Sequence, residues 1–545
     1  MKTLYYNGNI HTIEEAHPVA NAMVVDENKF SFVGDEADAR TKIDSETAEV
    51  DLGGRLVIPA FNDSHLHFIY TSKKLSRVDL GGSDSVGEIV SRMGKGLESH
   101  SGGAANWLIG EGWNQDYFSD KKRFPTRFDL DEISSEIPIL ITRVCAHIGV
   151  VNSAALRKIG LDRDTAIQHG DLVGLLPDGE PDGVVKEKFL ISMIANISDM
   201  DKDELKELIL VGQKKLHEKG IVSIQSDDVP YVNDSDYNLL LSTFRELEDE
   251  GLLQMRLGEQ VNLGTVPAME KFFSEGYGYG WGTEKVRVTS TKHMLDGSLG
   301  ARTAALRQPY ADAPQTSGLL SVLPEDLNEL VRISNAHGCP VAVHAIGDRA
   351  IELILDSIEN VREGGDQSIR HGIVHCQITD TPMLERIQGL KAITLIQPIF
   401  IDYDMNMAES RVGPELVATS YAWKTMMDMG IHASFGTDSP VEPFDPMRNI
   451  YCAVTQQNIT GEGKRVFLPA QKVSMDEAVR AYTFESAYAS GEEGIKGTIA
   501  AGKLADFVVL DHDLFDLESY EDILDTKVLA TVFDGKAVYD PNSIL

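Results

Sequence analysis

The middle of this 545-residue chain alternates short apolar runs rich in β-branched residues with longer amphipathic runs, and this alternation restricts the fold more than any other feature. The strand-like runs are residues 220–228, 285–295, 339–347, 372–377, 392–398 and 431–438. The helix-like runs are residues 201–220, 324–338, 348–365 and 380–390. Repeated units of this kind are typical of a parallel sheet covered by helices. Six units in sequence favour an α/β fold with a (β/α)8 TIM barrel over an open sheet, although the spacing alone leaves both open.

Both ends of the chain have a different pattern, in which short strand-like runs are joined by turn signals. An Asn-Gly pair at residues 7–8 and an Asp-Gly pair at residues 534–535 favour hairpin turns. Because the termini of domains often lie close together, we expect residues 1–56 and 491–545 to form one small composite β-sandwich. The TIM-barrel catalytic domain then occupies residues 57–490.

Residues from about 72 to about 205 do not follow the rhythm of the barrel. We interpret this stretch as an insertion after the first barrel strand. Long insertions at the catalytic face of a barrel usually shape the substrate pocket, so we expect this stretch to supply substrate contacts.

The charge balance limits the classes of partner. The chain has 85 acidic and 50 basic residues, for a formal net charge of −35 at pH 7. Nucleic acids and anionic membranes bind basic surfaces, so neither is an expected partner. The expected partner is instead a small-molecule substrate, and the negative charge favours a neutral or cationic one over an anionic one. A homodimer is also compatible with this charge.

Cysteine content and hydropathy indicate the compartment. The four cysteines are scattered without a CxxC pair, and disulfides are not expected in so long a chain with so few of them. The N-terminal stretch lacks the continuous apolar core of a signal peptide, and no run approaches the roughly 18–20 apolar residues of a membrane helix. We therefore expect a cytoplasmic protein.

His65 and His67 follow an apolar run that ends in a loop, as a buried strand would. Side chains two positions apart on a strand point to the same face, so both imidazoles can reach one metal ion. A His-x-His pair alone is a weak signal. The apolar run and Asp63 before it strengthen the interpretation as a metal site.

His344 and His375 each lie in a strand-like run that follows a helix-like one. A histidine in a buried strand needs a bonding partner, because an unpaired buried imidazole is costly. Either residue alone could be a hydrogen-bonded core histidine, but two at the same end of successive strands favour metal ligands. His371 and His432 are competing candidates, and both are placed towards the opposite end of their strands.

Asp438 stands in the motif FGTDSP, where the last strand-like run ends. A carboxylate there can bind a metal and can also accept a proton from water as a general base. Asp-Ser-Pro is also favourable for a helix N-cap, and without the histidines the cap would be the preferred interpretation. Together with the histidines, Asp438 is predicted as a metal ligand and the catalytic base.

Lys292 lies on the face predicted to point into the barrel, with Val286, Val288 and Ser290. A lysine in a barrel interior is costly unless its charge is removed or paired. A neutral amine can react with carbon dioxide to give a carbamate, whose two oxygens can bridge two metals. A salt bridge to a carboxylate is the alternative, and both stay open.

Together these motifs resemble those of the amidohydrolase superfamily, in particular amidohydrolase family 3, the branch that contains N-substituted formamide deformylase and the exoenzyme regulatory proteins. The resemblance covers almost the whole chain in the expected order. The matching stretches are IPAFNDSHLHF, WLIGEGWNQ, VNSAAL, KHMLDGSLGARTA, VHAIGDRA, HCQ, GTDSPVEPFDPM and GTIAAGKLADFVVLD.

The resemblance implies a metal-dependent hydrolase with a TIM barrel and a composite β-sandwich. The residues that it implies for the site are His65, His67, His344 and His375 as metal ligands, a carbamylated Lys292 as bridging ligand, and Asp438 as ligand and general base. One or two divalent metals per chain are expected. Zinc suits mixed imidazole and carboxylate ligands best, with iron or manganese as alternatives.

The resemblance extends to hydrolysis of a C–N bond and leaves the substrate open. We expect an amide-type bond in a formamide, an N-acyl compound or a cyclic amide. The alternatives are a regulatory or binding metalloprotein without turnover, and a lactone or ester hydrolase on the same scaffold. The complete ligand set with Asp438 favours catalysis. Candidate substrate contacts from the insertion and the loops are Trp113, His147, Asn152 and Arg302.

Overall fold

The computed structural model describes residues 2–98, 107–197, 200–362 and 368–545. The chain forms two compact units. The first comprises Met1–Phe68, Gln213–Pro230 and Leu240–Leu545, and the second comprises Ile69–Gly212 and Tyr231–Leu239. Within the four described ranges, no helix is both long and apolar enough to cross a membrane.

The first unit contains a sheet of eight parallel strands that neighbour one another in chain order. The strands are β1 (Phe61–Leu66), β2 (Ile221–Ser226), β3 (Arg256–Val261), β4 (Val286–Met294), β5 (Val341–Ala345), β6 (Gly372–His375), β7 (Ile393–Ile396) and β8 (Ala433–Phe435). The predicted α/β (β/α)8 TIM barrel is confirmed. Each of the six strand-like runs in the sequence contains one of these strands.

Backbone hydrogen bonds join the last barrel strand to the first, just beyond the strands themselves. The N–H of Asp438 donates to the carbonyl of His65 at 2.8 Å, and the N–H of His67 donates to the carbonyl of Ser439 at 2.8 Å. Gly436 makes this approach feasible, since a Cβ there would lie 2.6 Å from the backbone nitrogen of His65. Three predicted metal ligands, His65, His67 and Asp438, therefore lie where the barrel closes.

The sequence does not predict the strand β3, because the residues RLGEQV are too polar to indicate a buried strand. All six residues are nevertheless buried. Arg256 is only 2% exposed and lies 2.9 Å from Asp506 and 2.5 Å from Asp534. Partners such as these allow charged residues to occupy a core strand without the usual cost of burial.

Helices connect the barrel strands, and others follow the last strand. Their bounds are Lys202–His217, Tyr237–Asp249, Val266–Ser274, Pro324–Ala336, Asp348–Arg362, Thr381–Gly389, Trp423–Asp428, Pro446–Thr455, Met475–Tyr482 and Phe484–Ala489. All four predicted helices are present. The helix predicted over 348–365 is described as far as Arg362, and residues 363–365 lie outside the described ranges.

One apolar core joins the barrel strands to their helices. Val341, Val343 and Ile373 on β5 and β6 pack with Ile351 and Ile354 of the helix between them, and each is at most 1% exposed. Full burial of such a side chain stabilises the fold by about 1.5–3 kcal/mol. This packing fixes the strand ends from which the candidate ligands project.

Strands from both ends of the chain form the composite β-sandwich of the first unit. The six-stranded sheet has the order Lys536–Tyr539, Val528–Phe533, Phe507–Leu510, Leu56–Pro59, Asn9–His11 and Val19–Ala20. The four-stranded sheet has the order Lys29–Gly34, Ala22–Asp26, Lys2–Tyr6 and Ala48–Asp51. Tyr5 and Phe507 pack in their common core, with ring centroids 5.2 Å apart. The domain bounds at residues 56 and 490 stay a prediction.

The second unit follows β1 in the chain, as the predicted insertion does. Its six-stranded mixed sheet has the order Val173–Leu175, Pro181–Lys186, Ile148–Val151, Ile139–Arg143, Leu108–Trp113 and Val78–Asp79. Its helices include Phe68–Leu75, Val86–Glu98, Arg127–Asp131, Ser153–Lys158, Arg163–His169 and Glu187–Ile197. Leu80, Ile89 and Ile141 lie in an apolar core of this unit.

Candidate metal centre

The six residues predicted as metal ligands converge beside the carboxyl ends of the barrel strands. They are His65 in β1, His67 just after it, Lys292 in β4, His344 in β5, His375 at the end of β6, and Asp438 shortly after β8. His67 is partly exposed, and the other five side chains belong to buried residues. The parallel strands bring together residues that are separated by up to several hundred positions in the sequence.

Three of these side chains form a compact group around the Asp438 carboxylate. Its Oδ1 lies 3.4 Å from Nε2 of His65 and 3.1 Å from Nε2 of His67. One ligand atom from each of the three residues lies within 4.8 Å of the others. The Lys292 Nζ adjoins this group, 3.0 Å from Nε2 of His65.

The other two histidines form a pair beside this group. The Nδ1 of His344 and the Nε2 of His375 lie 2.9 Å apart, and their ring centroids are separated by 4.4 Å. The ring of His375 is 6.0 Å from that of His65. The arrangement therefore has two sets of donor atoms, with Lys292 adjoining the first.

The donor separations fit a divalent metal. Two ligand atoms bound to one zinc at about 2.1 Å, with an angle of about 90–110° between them, lie roughly 3.0–3.4 Å apart. The measured distances of 3.1 and 3.4 Å around Asp438, and of 2.9 Å between His344 and His375, are close to this range. Imidazole nitrogens and a carboxylate are also the ligand types that zinc and neighbouring transition metals accept.

Two glutamines fix which ring nitrogen of a histidine faces the site. The Nδ1 of His65 donates to Oε1 of Gln260 at 2.9 Å, and the Nδ1 of His375 donates to Oε1 of Gln397 at 2.7 Å. Each amide is anchored on its other side, since Gln260 Nε2 donates to the Ser64 carbonyl and Gln397 Nε2 donates to the Leu395 carbonyl. The Nε2 lone pair of both histidines is therefore left for a metal.

Backbone carbonyls orient the remaining two imidazoles. The Nδ1 of His67 donates to the carbonyl of Asp227 at 3.1 Å, and the Nε2 of His344 lies 3.3 Å from the carbonyl of Gly297. Asp296 adds an oxygen 3.4 Å from the same Nε2 of His344. Bonds of this kind to the second ring nitrogen are a regular feature of metal-binding histidines.

The electrostatics of the site hold these groups in the protonation states that bind a metal. Burial raises the pKa of Asp438, but its bond to His67 and the nearby imidazoles outweigh burial, so the pKa is lowered and the carboxyl is ionised. Burial lowers the pKa of His375 to about 4, and burial and Lys292 lower that of His65. His67 is the exception: burial lowers its pKa, but the bond to Asp438 and the charge of that carboxylate outweigh burial and raise it, so this imidazole must release a proton when it binds a metal. The neutral imidazoles of His65 and His375 and the ionised carboxylate are already in the ligand forms that metals require.

Lys292 is wholly buried, and this burial lowers the pKa of its amine, although Asp227 and Asp438 act in the opposite direction. Among the described residues, no carboxylate forms an ion pair with Lys292. Its one hydrogen-bonding contact within these ranges is with His65. The surroundings therefore favour the neutral amine over a salt-bridged ammonium.

The backbone is unusual at two of the candidate ligands. His375 has φ +73° and Asp438 has φ +57°, and Cys376 beside His375 has φ +48°. Residues other than glycine rarely adopt this left-handed conformation, and such strained positions cluster at functional sites. The conformation occurs at the two strand ends that deliver these ligands.

The competing histidines have structural partners elsewhere. The Nε2 of His371 lies 3.2 Å from Oδ1 of Asn335, and its Nδ1 accepts the N–H of Val341. His432 lies 2.6 Å from Glu485. Both precede their strands, β6 and β8, so each lies at the opposite strand end from the candidate ligands.

Two of the predicted substrate contacts take part in the packing of the second unit. Trp113 is 0% exposed within an apolar core, and its indole N–H has no hydrogen-bond partner among the described residues. Asn152 caps the helix Ser153–Lys158, where its side-chain oxygen accepts two backbone N–H groups and its NH2 donates to two carbonyls. Internal bonds thus occupy Asn152, and contact of either residue with a substrate stays a prediction.

The other two predicted substrate contacts form hydrogen bonds to carboxylates nearer the surface. His147 lies 3.1 Å from Glu187, with both side chains 60% exposed. Arg302 forms two hydrogen bonds to Asp312, of 3.0 and 2.9 Å. Their role in substrate binding stays a prediction as well.

Sequence reasoning missed the orienting residues Gln260, Gln397 and Asp296. Gln260 lies on β3, the strand that was not recognised, and Gln397 directly follows β7. Asp296 is 2% exposed and accepts the N–H groups of Ala305, Ile346 and Gly347. For each of these three residues, the only signal in the sequence is one amide or carboxylate side chain in or just after a strand-like run.

Known proteins resemble the chain over almost its full length. Residues 48–539 match the profile of the Amidohydrolase family. The protein YtcJ of Bacillus subtilis (strain 168) is 30% identical over 544 residues, which cover 99% of this chain and 100% of YtcJ. N-substituted formamide deformylase of Arthrobacter pascens is 24% identical over 555 residues, which cover 98% of this chain and 97% of that protein.

A solved structure shares both fold and sequence with the chain. The crystal structure of an uncharacterized metal-dependent hydrolase from Pyrococcus furiosus has a TM-score of 0.75 and 31% sequence identity, over 95% of this chain and 100% of that chain. The range matched by the family profile includes all six residues of the candidate metal centre.

Proposed function

The chain belongs to the amidohydrolase family and is a metal-dependent hydrolase, and from this premise we propose that it cleaves amide-type C–N bonds with water. The proposed substrates are formamides, N-acyl compounds or cyclic amides. The relative named N-substituted formamide deformylase supports this choice of bond.

The position of Asp438 carries the proposal. Its carboxylate is ionised, buried and within 3.1–3.4 Å of two imidazole nitrogens. His65, His67 and Asp438 would hold one divalent metal and His344 and His375 would hold a second, with a carbamylated Lys292 as a further ligand beside the first set. A divalent metal at such a site supplies a water of lowered pKa and polarises the substrate carbonyl.

Asp438 is the proposed general base. Its Oδ accepts a proton from the attacking water and then delivers that proton to the leaving nitrogen. The lowered pKa keeps the carboxyl ionised before the reaction.

Lys292 is the proposed site of a carbamate. The neutral amine nitrogen attacks the carbon of carbon dioxide and loses a proton, and the product has a negative charge and two oxygens. Burial lowers the pKa of Lys292, and no ion pair to a carboxylate competes within the described residues. An ammonium at this position would repel divalent cations, whereas a carbamate attracts them.

Zinc is the proposed metal, at one or two ions per chain. Four imidazoles with a carboxylate suit zinc, while iron or manganese tolerate the same ligands. Elemental analysis of gently purified, active enzyme measures this directly. Less than half an equivalent of any transition metal per chain would contradict the proposed centre.

The experiment that tests the activity is a screen of the metal-loaded protein against formamides, N-acyl amino acids, cyclic amides and lactones, with detection of released amine or acid. We expect turnover of an amide-type substrate, and its loss in Asp438→Asn. Turnover confined to lactones or esters would replace the amide proposal with an ester hydrolase. Absence of turnover on every class would favour a binding or regulatory metalloprotein.

A further inference from the structure

Two loops of the first unit border the candidate metal centre. The loop after β7 presents Phe400, whose ring is stacked on His375 with centroids 5.7 Å apart. The loop after β8 turns back at Asp438, because the N–H of Val441 donates to the Asp438 carbonyl at 2.9 Å, and Glu442 follows directly. Both loops therefore begin beside candidate ligands, the first next to His375 and the second at Asp438.

Asp402 and Asp404 after β7 are two carboxylates of these loops, and the protein satisfies both. Asp402 accepts the N–H groups of Ile459 and Thr460 at 2.8 and 2.9 Å, and the Thr460 hydroxyl at 3.0 Å. Asp404 accepts Gln377 at 2.7 Å and the Tyr421 hydroxyl at 2.9 Å. Their oxygens have donors already and need no ligand.

Glu442 is different from these two carboxylates. It is only partly exposed, yet it forms no hydrogen bond or ion pair with any described residue. Burial raises the pKa of Glu442 to about 7, and the charges of Asp402, Asp404 and Asp438 act in the same direction. Arg448 partly opposes them, but it lies 3.9 Å from Asp402.

A half-buried carboxylate among other carboxylates is costly for the folded protein. Such a cost is a mark of functional sites, where a ligand supplies the missing partner. Two arginines of neighbouring loops, Arg302 and Arg411, both bind Asp312. The partner that Glu442 lacks is a hydrogen-bond donor with positive charge.

We propose that Glu442 determines specificity by binding a protonated amino group of the substrate. The inference rests on the proposed amide hydrolysis and names its substrate class, which is amides that carry an ammonium group a few bonds from the scissile bond. The net charge of −35 acts in the same direction, because it attracts cations over a longer range. Glu442 is not assigned a part in the chemical step.

The test compares two series of substrates. One series consists of mono-N-formylated α,ω-diamines of graded chain length, and the other of N-formylalkylamines of matched length without the second amine. We expect the wild-type enzyme to prefer the charged series in kcat/KM. In Glu442→Gln, kcat/KM for the charged series should fall by about 10- to 100-fold, while the neutral series changes by less than about 3-fold.

The control variant is Glu415→Gln, which removes the same charge from an exposed residue of the short helix Pro414–Val417. It should leave both series unchanged. Glu442→Asp keeps the carboxylate and should retain part of the preference for the charged series. Metal content of Glu442→Gln should equal that of the wild type, and its thermal midpoint should be equal or higher, because the substitution removes the cost of the unpaired carboxylate. These two measurements separate a specificity effect from a loss of folding.

Three results would overturn the inference. They are an equal loss on both series in Glu442→Gln, no loss on either, and a loss of the same size in Glu415→Gln. An equal loss would indicate that Glu442 contributes to chemistry or folding and not to recognition of charge.

A binding measurement separates this inference from the proposed activity. If neither series is hydrolysed, the formamide proposal fails, and calorimetric titration of the metal-loaded protein with 1-butylammonium and 1-butanol still tests Glu442. We expect tighter binding of the ammonium than of the alcohol in the wild type and no such difference in Glu442→Gln. Ammonium binding that survives the substitution would place the amine elsewhere and refute the inference.

Discussion

Lys292 and Lys496 are both buried in the first unit, and burial lowers the pKa of each amine, but their surroundings differ. The Nζ of Lys496 lies 2.8 Å from Glu492 and 2.6 Å from the hydroxyl of Ser223, near the amino end of β2. The Nζ of Lys292, at the other end of the barrel, lies 3.0 Å from His65.

The same contrast holds for the two ends of the barrel more generally. At the amino ends, buried cations have carboxylate partners, as Arg256 has Asp506 and Asp534. At the carboxyl ends, nitrogen donors face one another, as His344 faces His375 and Lys292 faces His65. The ion pairs at the amino ends neutralise their own charges and stabilise the fold. The facing nitrogen lone pairs at the carboxyl ends are instead suited to binding a metal cation from solution.

The largest effect on the catalytic end is expected from Asp438→Asn. The amide cannot accept the proton from water, so turnover should fall by about 10²- to 10⁴-fold, the scale of a general base. Thermal unfolding and metal content should stay near the wild type, because the histidines remain. Steady-state kinetics with elemental analysis measures both, and a variant with nearly wild-type turnover would show that another residue takes the proton.

At the amino end, Lys496→Met should act on stability. Removal of Lys496 leaves the buried Glu492 with Arg287 at 3.6 Å in place of an amine at 2.8 Å. The cost in the free energy of unfolding should therefore be at most the roughly 3–5 kcal/mol of a wholly unpaired buried charge. Denaturant unfolding measures this cost, and the folded fraction should retain its activity. The matched double variant Glu492→Leu/Lys496→Met should recover most of the loss. If the single variant lost activity without losing stability, the contrast between the two ends would be refuted.

Lys292→Ala should give the reverse result. Turnover and metal content should fall, with turnover reduced by at least about 10²-fold, since even residues that only orient a ligand contribute 10- to 100-fold. Its effect on stability should be smaller than that of Lys496→Met, because no carboxylate among the described residues loses an ion-pair partner. Short carboxylic acids should partly restore activity by occupying the space of the carbamate.

Native mass spectrometry of the wild type adds a direct measurement for Lys292. We expect a mass increase of one carbon dioxide that is absent in Lys292→Ala. An unmodified amine in a fully metal-loaded protein would refute the carbamate and leave a site held by the histidines and Asp438.

Much of the fold and the six candidate ligands could be predicted from sequence, because both depend on local patterns. Apolar strand-like runs identified six barrel strands, and the ligands stand at the ends of such runs. His371 and His432 could be set aside by position alone, since their places in the runs put them at the amino ends of the strands.

The parts that could not be predicted depend on contacts between distant segments. The strand β3 reads as polar because Arg256 pairs with Asp506, which is about 250 positions away in the sequence. Gln260 looks like a surface residue until β1 places His65 beside it. Glu442 could not be predicted as a site residue from the motif SPVEP. It differs from neighbouring carboxylates in lacking a hydrogen-bond or ion-pair partner among the described residues, and only the structure shows this.

The smallest effect is expected from the glutamines that orient the histidines. Gln260→Leu and Gln397→Leu each remove the acceptor that keeps Nε2 of His65 or His375 turned towards the site, so metal affinity should fall by about 10- to 100-fold. A third buried glutamine, Gln213, donates to the carbonyl of Leu252 and accepts the N–H of Gln254, and neither partner is a candidate ligand. Gln213→Leu is therefore the matched control. Competition with a metal chelator gives the affinities. All three variants should lose comparable stability, and only the first two should lose metal. Equal metal affinity in all three would mean that the metal holds the imidazoles in place without help from the amides.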